Sequence, residues 1–178
     1  MILPNVIFLD MDGVLCTPRA CVAYGNTGRG YSYLDPVACA LVKKLCDECN
    51  AKIVMSSAWR QMYDQEAMMA ILNAACPNLG NYIWQSHIHW RTSDFDFEPG
   101  WSETSDRGRE IKRWVDHHET EFNNFVILDD MADMRPLQSS LVRCDIYDGM
   151  GFTQYFAAEK MLMDGWDAEW ALRTESIA

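Results

Sequence analysis

Two aspartates that lie two positions apart, Asp10 and Asp12, directly follow the short apolar run 6–9. Alternate residues of an extended chain point the same way, so both carboxylates could face one site, although Gly13 permits a sharp turn just after them. Their like charges then require a cation. A hard divalent ion such as Mg²⁺ takes oxygen ligands and keeps several waters, which suits carboxylates combined with a substrate phosphate. By itself the tetrapeptide 10–13 is equally typical of a strand that ends in an acidic turn.

Two further apolar runs end in polar residues. Residues 51–55 lead into Ser56-Ser57, and residues 125–128 lead into Asp129-Asp130. Short apolar runs are typical of buried strands in a parallel sheet, and the carboxyl ends of such strands share one edge where ligands bind. We therefore expect these residues to gather with the first aspartate pair in a single pocket.

Helical and extended patterns alternate along the rest of the chain. The sequence therefore predicts an α/β fold with a doubly wound, mostly parallel Rossmann-like sheet. Besides the strands named above, the patterns predict strands at 82–89 and 142–147, and helices that begin at Asp35-Pro36, near Asp64, at Ser105-Asp106 and near Thr153. We expect residues 1–178 to form one domain, with 16–34 as a short flap over the site and 92–105 as a loop near it.

Size, composition and charge narrow the classes of function. A chain of 178 residues with 49% apolar and 12% aromatic residues is typical of one packed globular domain. The net charge of -11 argues against a nonspecific grip on long nucleic acid, which normally needs a basic face. No apolar stretch reaches membrane-spanning length and the first residues do not resemble a signal peptide, so we expect a soluble, cytoplasmic protein with no membrane partner.

The cysteines and histidines offer a weaker pattern. Seven cysteines are scattered along the chain, and their odd number is typical of reduced thiols. Cys46-x-x-Cys49 could bind zinc together with His87-x-His89, but nothing in the sequence ties the two pairs together. His117-His118 stands near the end of a predicted helix, where the helix dipole favours cationic side chains, and we expect that role for the pair.

In their order along the chain these motifs resemble the haloacid dehalogenase superfamily of phosphohydrolases. Residues 8–15 look like its first motif, 53–56 like its second and 126–130 like its fourth. More narrowly, residues 54–60 followed by 107–111 look like the small phosphatase domains associated with RNA repair proteins. Those domains are similar in turn to the phosphatase half of polynucleotide kinase phosphatases and to some nucleotidases. The resemblance implies a haloacid dehalogenase-like fold with a minimal cap.

The resemblance also implies roles for the four aspartates. Asp10 would attack phosphorus to give an aspartyl phosphate, while Asp12 would protonate the leaving oxygen and then activate water. Splitting the displacement into two steps lets one carboxylate serve as nucleophile and its neighbour as acid and then base. The resemblance implies Mg²⁺ held by Asp129 and Asp130 together with Asp10 and the Asp12 carbonyl.

Phosphate-binding roles follow from the same resemblance. Ser56 would hold a phosphoryl oxygen through its hydroxyl, helped by the backbone N–H of Ser57. The cation of the third motif would be Arg107, at the start of the helix before the fourth motif, with Lys112 further along the helix as the alternative. Arg60 could reach a phosphate or a base of the substrate, or lie on the surface of the following helix.

The predicted function is a Mg²⁺-dependent phosphomonoesterase that acts on a nucleotide or on a polynucleotide phosphate end. A short flap leaves the pocket open, as a nucleic-acid end requires, whereas the net acidity favours a free nucleotide; the sequence leaves both open. The alternatives are a receiver-like phosphoacceptor and a catalytically inactive interaction module on the same fold. Receiver domains are not known for this order of acidic residues, and an inactive module would not need every carboxylate to be present.

Overall fold

The computed structural model describes residues 2–24, 33–84, 88–92 and 106–164. These residues contain four strands and five α-helices. In chain order the elements are β1 (Asn5–Leu9), α1 (Pro18–Tyr24), α2 (Pro36–Glu48), β2 (Ala51–Met55), α3 (Gln65–Ala75), α4 (Asp106–His117), β3 (Phe125–Asp129), β4 (Leu141–Arg143) and α5 (Phe152–Asp164). Short 3₁₀ helices occupy Ala58–Gln61, Leu79–Tyr82 and Gln138–Ser140. Within the described ranges no helix is long and apolar enough to span a membrane.

The four strands form one parallel sheet in the order β2-β1-β3-β4. From β1 the chain moves to one side to form β2 and then returns past β1 to form β3 on the other side. Such a reversal of direction opens a crevice at the carboxyl ends of the two strands between which it occurs, and ligands of open α/β sheets bind there. The predicted Rossmann-like α/β fold is therefore confirmed, and its crevice lies where β1 ends.

Both faces of β1 are covered, which explains its uninterrupted apolar sequence. Ile7 and Leu9 belong to the core that includes residues of α2 and α5, whereas Val6 and Phe8 belong to the core that includes residues of α4. The alternation follows from the two-residue period of a strand. With all five of its residues buried, β1 is a rigid base for the loop that follows it.

The predicted helix starts at Asp35-Pro36 and Asp64 are confirmed. The Asp35 carboxylate accepts hydrogen bonds from the backbone N–H groups of Val37 and Ala38, and Pro36 occupies the first turn of α2. The Asp64 carboxylate accepts a hydrogen bond from the backbone N–H of Ala67 at the start of α3. Aspartate caps of this kind satisfy N–H groups that have no partner within the helix.

The predicted strand at 82–89 is wrong in the part that the structure describes. Ile83 makes only a single bridge, to Ile53, and residues 85–87 lie outside the described ranges. Trp84 packs edge-on against Trp114, with 5.2 Å between ring centroids. The segment therefore contacts β2 at isolated points, through the Ile83 bridge and a hydrogen bond of 2.8 Å from the Trp84 N–H to the Ile53 carbonyl, and does not form a continuous strand.

Three other predicted segments differ in extent. The strand predicted at 142–147 is β4, which ends at Arg143, because Asp145 accepts hydrogen bonds from the N–H groups of Tyr147 and Asp148 and so forms a turn. The predicted flap 16–34 contains helix α1, and its residues 25–32 lie outside the described ranges. Of the predicted loop 92–105 only Thr92 is described, and the single-domain organisation of 1–178 stays a prediction.

Candidate active site

The site begins where the strands end. Leu9 is in register with Met55 of β2 and with Leu128 of β3, so the residues that come next form one row at the carboxyl edge. These residues are Asp10, Ser56 and Asp129. Two backbone hydrogen bonds of 3.0 Å continue the ladder into this row, from the Asp10 N–H to the Leu128 carbonyl and from the Ser56 N–H to the Leu9 carbonyl. The expected convergence of distant strand ends is observed.

Three carboxylates lie together in this row and just after it. Asp10, Asp129 and Asp130 each offer an oxygen within 4.8 Å of the other two. Asp10 and Asp129 are buried, and Asp130 is half-buried. Burial, followed by the negative charge of Asp10, raises the pKa of Asp129 to about 6 and also raises the pKa of Asp130, although the nearby Arg107 opposes both shifts. Carboxylate oxygens this close together are the donor set of a hard divalent cation.

Gly13 lets the loop after β1 lie against this cluster. Its φ of +74° is a left-handed conformation that other residues adopt at a cost. A Cβ atom on Gly13 would lie 2.6 Å from the carboxyl carbon of Asp130. Both the backbone angle and the contact therefore require glycine directly after the aspartate pair.

Arg107 supplies the positive charge of the site. Its Nη1 donates a hydrogen bond of 2.8 Å to Oδ2 of Asp129 and lies 3.2 Å from Oδ1 of Asp10, and its side chain is 16% exposed. Lys112 instead donates hydrogen bonds to Asp116 on the exposed face of α4. Of the two candidates for the third motif, the structure brings only Arg107 to the carboxylates.

Gly108 sets the position of the helix that carries Arg107. A Cβ atom at Gly108 would lie 2.3 Å from the carbonyl oxygen of Arg135 and 2.4 Å from that of Met134. The absence of a side chain thus allows the first turn of α4 to contact the backbone of the loop that follows β3. The sequence alone does not indicate this role of Gly108, because the backbone that it contacts is distant along the chain.

Asp12 differs from the other three aspartates in its surroundings. It is exposed, and its Oδ2 accepts a hydrogen bond of 2.9 Å from Nε1 of Trp59. Desolvation by the surrounding protein and the charge of Asp10 raise the pKa of Asp12, against the opposing effects of Trp59 and Arg107. Its carboxylate is not in the three-carboxylate cluster, so the predicted metal contact of Asp12 depends on its backbone carbonyl.

Trp59 thereby acquires a positioning role that its sequence context only partly indicated. From the sequence alone, a tryptophan after the second strand could stack on a base but is more often a core residue. The indole is instead buried, with 2% of the residue exposed, and its N–H group holds the Asp12 carboxylate. The sequence shows a tryptophan three positions after Ser56. Only the folded structure shows that its N–H group points to Asp12.

The two serines after β2 have different surroundings. Ser56 is completely buried, and its Oγ has no hydrogen-bond partner among the described residues. Leaving a buried hydroxyl unpaired costs about 1–3 kcal/mol, which suggests that a ligand supplies the missing partner. The Ser57 Oγ accepts a hydrogen bond of 3.3 Å from the backbone N–H of Trp59 and caps the 3₁₀ helix. The predicted phosphate contact of Ser57 is therefore left to its backbone N–H.

Arg60 lies inside the protein. Its Nη1 donates hydrogen bonds to the carbonyl oxygens of Ser56 and Ser57 at 2.5 and 2.9 Å, and its Nη2 donates one of 2.7 Å to Glu110 on α4. Only 4% of its side chain is exposed. These contacts join the loop after β2 to α4. We expected Arg60 to face the substrate or to lie on the surface; it is instead an internal tie between two segments of the chain.

The zinc site suggested by the cysteine pair is not supported by the described residues. Cys46 and Cys49 are both buried, and burial raises the pKa of each thiol and so disfavours the thiolate that zinc binds. Neither cysteine lies with the described histidines in a group that could hold a metal ion. His87, part of the proposed partner pair, lies outside the described ranges.

Comparison with known proteins identifies one family. A family model described as the HAD domain in Swiss Army Knife RNA repair proteins matches residues 6–155. The matched range includes every residue of the site, from Asp10 to Asp130. Neither a curated protein nor a solved structure matches the chain.

Proposed function

The chain belongs to the HAD domains of Swiss Army Knife RNA repair proteins, and on that premise we propose that it is a Mg²⁺-dependent phosphomonoesterase that acts through an aspartyl-phosphate intermediate. Membership of the family supports a phosphatase of the HAD type. The metal, the intermediate and the substrate are proposals that rest on the residues of the site.

The observation that carries the proposal is the convergence of Asp10, Arg107 and two further carboxylates on the crevice where β1 ends. The oxygens of Asp10, Asp129 and Asp130 lie within 4.8 Å of one another, and this all-oxygen set fits Mg²⁺. The unpartnered Oγ of Ser56 in the same row supports a ligand with oxygen atoms, such as a phosphoryl group. A bound Mg²⁺ would neutralise charge on the phosphoryl oxygens.

The protein's own groups perform the two steps as follows. A carboxylate oxygen of Asp10 attacks phosphorus and the ester P–O bond breaks, while Asp12 gives its proton to the leaving oxygen. The raised pKa of Asp12 supports this role, because it keeps the carboxyl group protonated to higher pH. In the second step Asp12 removes a proton from water as the water attacks phosphorus, and the Asp10–phosphorus bond breaks. Arg107, held between Asp10 and Asp129, offsets the charge on the phosphoryl group.

The proposed substrate is the phosphate of a nucleotide or of a nucleic-acid end. The description of the family, which names RNA repair proteins, favours the nucleic-acid end. The net charge of -11 makes local contacts at the crevice, rather than a long basic groove, the means of binding. We also propose a cytoplasmic location, supported by seven cysteines that are all free.

A substrate screen of the wild-type chain tests the proposal. Release of phosphate is measured from p-nitrophenyl phosphate, from 5′- and 3′-mononucleotides, and from 5′- and 3′-phosphorylated oligonucleotides, with Mg²⁺ or with EDTA. We expect hydrolysis that requires Mg²⁺ and is lost in Asp10→Asn, which removes the nucleophile at nearly constant volume. Asp116→Asn, a surface carboxylate paired with Lys112, is the matched control and should retain hydrolysis.

The alternatives give different results in the same screen. A receiver-like phosphoacceptor would take a stable phosphoryl group from acetyl phosphate on Asp10 without turning over any ester. An inactive interaction module would hydrolyse none of the substrates in either buffer. Undiminished hydrolysis by Asp10→Asn would refute the assignment of the nucleophile.

A further inference from the structure

A second group of metal-ligating side chains lies at the end of α4, away from the carboxylates. His89, His117 and His118 are in mutual contact, with distances of 4.5, 4.7 and 5.1 Å between ring centroids. One ring nitrogen from each histidine lies within 4.8 Å of the other two. Three of the four histidines in the chain are thus brought together from two distant segments.

His118 is oriented as a metal-binding histidine is. The residue is 3% exposed, its ring stacks on Trp114 at 4.0 Å, and its Nδ1 lies 2.8 Å from the Trp114 carbonyl oxygen. Because a carbonyl oxygen only accepts, Nδ1 carries the hydrogen, and the lone pair of the neutral ring is on Nε2. A hydrogen bond from the other ring nitrogen to a carbonyl fixes the tautomer and orientation of metal ligands in proteins.

Among the described residues, the ring nitrogens of the other two histidines are not engaged in hydrogen bonds. His117 is exposed and His89 is half-buried, and neither ring makes a hydrogen bond to another described residue. Burial, followed by the proximity of His118 and His117, lowers the pKa of His89 against the opposing charge of Glu121. The neutral form of His89 that this favours is the form that binds a metal.

The three histidines lie at the end of α4, where they could bind a cation at a distance from the Mg²⁺ proposed at the carboxylates. The last turn of a helix carries partial negative charge, which stabilises a positive ion. His117 ends α4, whereas Arg107 is in its first turn. The rise of 1.5 Å per residue separates the two positions by about 15 Å along the helix. An ion at the histidines would therefore not contact the carboxylate cluster.

We propose that His89, His117 and His118 form a binding site for a divalent transition metal, with Zn²⁺ as the expected ion. Imidazole nitrogen suits Zn²⁺ and other late transition metals, whereas Mg²⁺ prefers oxygen. Three protein ligands leave a fourth position for water or another ligand. The site is independent of the proposed phosphatase activity and uses none of its residues.

The metal would tie two segments together. Residues 88–92 are attached to the end of β2, since the Met55 N–H donates to the Trp90 carbonyl at 2.9 Å and the Thr92 N–H donates to the Met55 carbonyl at 3.0 Å. His89 lies in this segment, and the other two histidines lie at the end of α4. Binding to the folded state alone would raise stability in proportion to the logarithm of the metal concentration.

Zn²⁺ binding to the full chain tests the site, with Mg²⁺ held at saturation so that the carboxylates are occupied. We expect one Zn²⁺ per chain by calorimetry, and Co²⁺ in its place should give the visible absorption of a tetrahedral site. His117→Ala and His89→Ala should each weaken binding on the order of 10- to 100-fold or more, since ligand loss must cost at least as much as loss of an outer-shell partner. Lys112→Ala, on the exposed face of the same helix, is the control and should bind as the wild type does.

Thermal unfolding gives an independent measurement. Zn²⁺ should raise the midpoint of the wild type and of Lys112→Ala but not that of His117→Ala, a surface change that leaves the helix core intact. Equal Zn²⁺ binding by the wild type and both histidine variants would overturn the proposal, as would absence of binding. Zn²⁺ lost in Asp130→Asn but kept in the histidine variants would place the ion at the carboxylates instead. Hydrolysis with Mg²⁺ alone is measured separately, so failure here leaves the phosphatase assignment standing.

Discussion

Asp130→Asn is expected to stabilise the metal-free protein while weakening its binding of Mg²⁺. A carboxylate oxygen of Asp130 lies within 4.8 Å of oxygens of both Asp10 and Asp129, so its charge is repelled by two neighbours. Among the described residues Asp130 takes part in no ion pair that the change would break. Asparagine keeps the shape of the side chain and removes only the charge.

The magnitude follows from the spacing of the carboxylates. Two like charges 4.8 Å apart, the upper limit for the oxygens of this cluster, repel by about 0.9 kcal/mol in water and by about 3.5 kcal/mol at an effective dielectric constant of about 20. Asp130 is half-buried, and Arg107 offsets part of the repulsion. We therefore expect a net stabilisation of about 1–2 kcal/mol, or about 2–8 °C in the midpoint of thermal unfolding for a chain of this size.

The stabilisation by Asp130→Asn should increase as the pH rises. Burial, followed by the charge of Asp10, raises the pKa of Asp130 in the folded protein. Folding is therefore favoured while the carboxyl group is protonated, and this advantage is lost as pH rises through the folded-state pKa. Asp129, whose pKa is raised to about 6, follows the same direction. The difference between the variant and the wild type should be small near pH 4 and should grow towards about pH 7.

The assay is thermal unfolding in EDTA and in Mg²⁺ at both ends of that pH range. Asp133→Asn is the matched control in the same loop, because hydrogen bonds from Arg135 lower the pKa of Asp133 to about 2. Removal of the Asp133 charge in this variant should destabilise the protein at neutral pH and leave the shift of the midpoint by Mg²⁺ unchanged. A lower midpoint for Asp130→Asn in EDTA at neutral pH, or a Mg²⁺-induced rise as large as that of the wild type, would refute the account of the cluster.

Three further substitutions test single contacts. Trp59→Phe removes the N–H donor to Asp12, so the pKa of Asp12 should rise further. The limb of the pH–kcat profile that Asp12 controls should then move to higher pH, and an unmoved limb would contradict the role of Asp12 as the acid. Arg107→Ala should lower kcat/KM by roughly 10²- to 10³-fold, as loss of one transition-state donor does, whereas Lys112→Ala should leave it unchanged. Arg60→Ala should lower the free energy of unfolding in urea by about 2–4 kcal/mol, because it removes hydrogen bonds to two backbone carbonyl oxygens and to the half-buried Glu110, and hydrogen bonds to charged groups contribute about 1.5–3 kcal/mol each; a wild-type midpoint would exclude the internal tie.

The part of the site that the sequence predicted is the part that depends on strand ends. Asp10, Ser56 and Asp129 each follow an apolar run by one position, and parallel strands in register bring such positions together. That inference needs only the strand assignments and the rule that parallel strands share an edge. Arg107 was implied by the resemblance to the family's third motif, and its place at the start of a predicted helix favoured it over Lys112.

The parts that could not be predicted depend on contacts between distant segments. The role of Arg60 is set by Glu110, and nothing near Arg60 in the sequence indicates that this carboxylate, 50 positions away, is its partner. His89 and His118 meet only because residues 88–92 pack at the end of α4, so the histidine pattern was assigned to the helix dipole alone. The pattern at Trp84 was assigned to a strand because apolar periodicity does not distinguish pairing from side-chain packing.

Helix α4 is held in place by contacts of its own, and this explains how Arg107 can be positioned in the first turn of a helix. Helix ends normally fray, and a guanidinium there would lose its fixed distance to the carboxylates. Gly108 in the same turn contacts backbone carbonyls of the loop after β3, and Glu110 in the next turn binds the buried Arg60. Trp114 anchors the following turns in the core that α4 shares with β1. Each of these contacts is made by a residue of α4, so together they fix the first turn of the helix and with it the position of Arg107 beside the carboxylates.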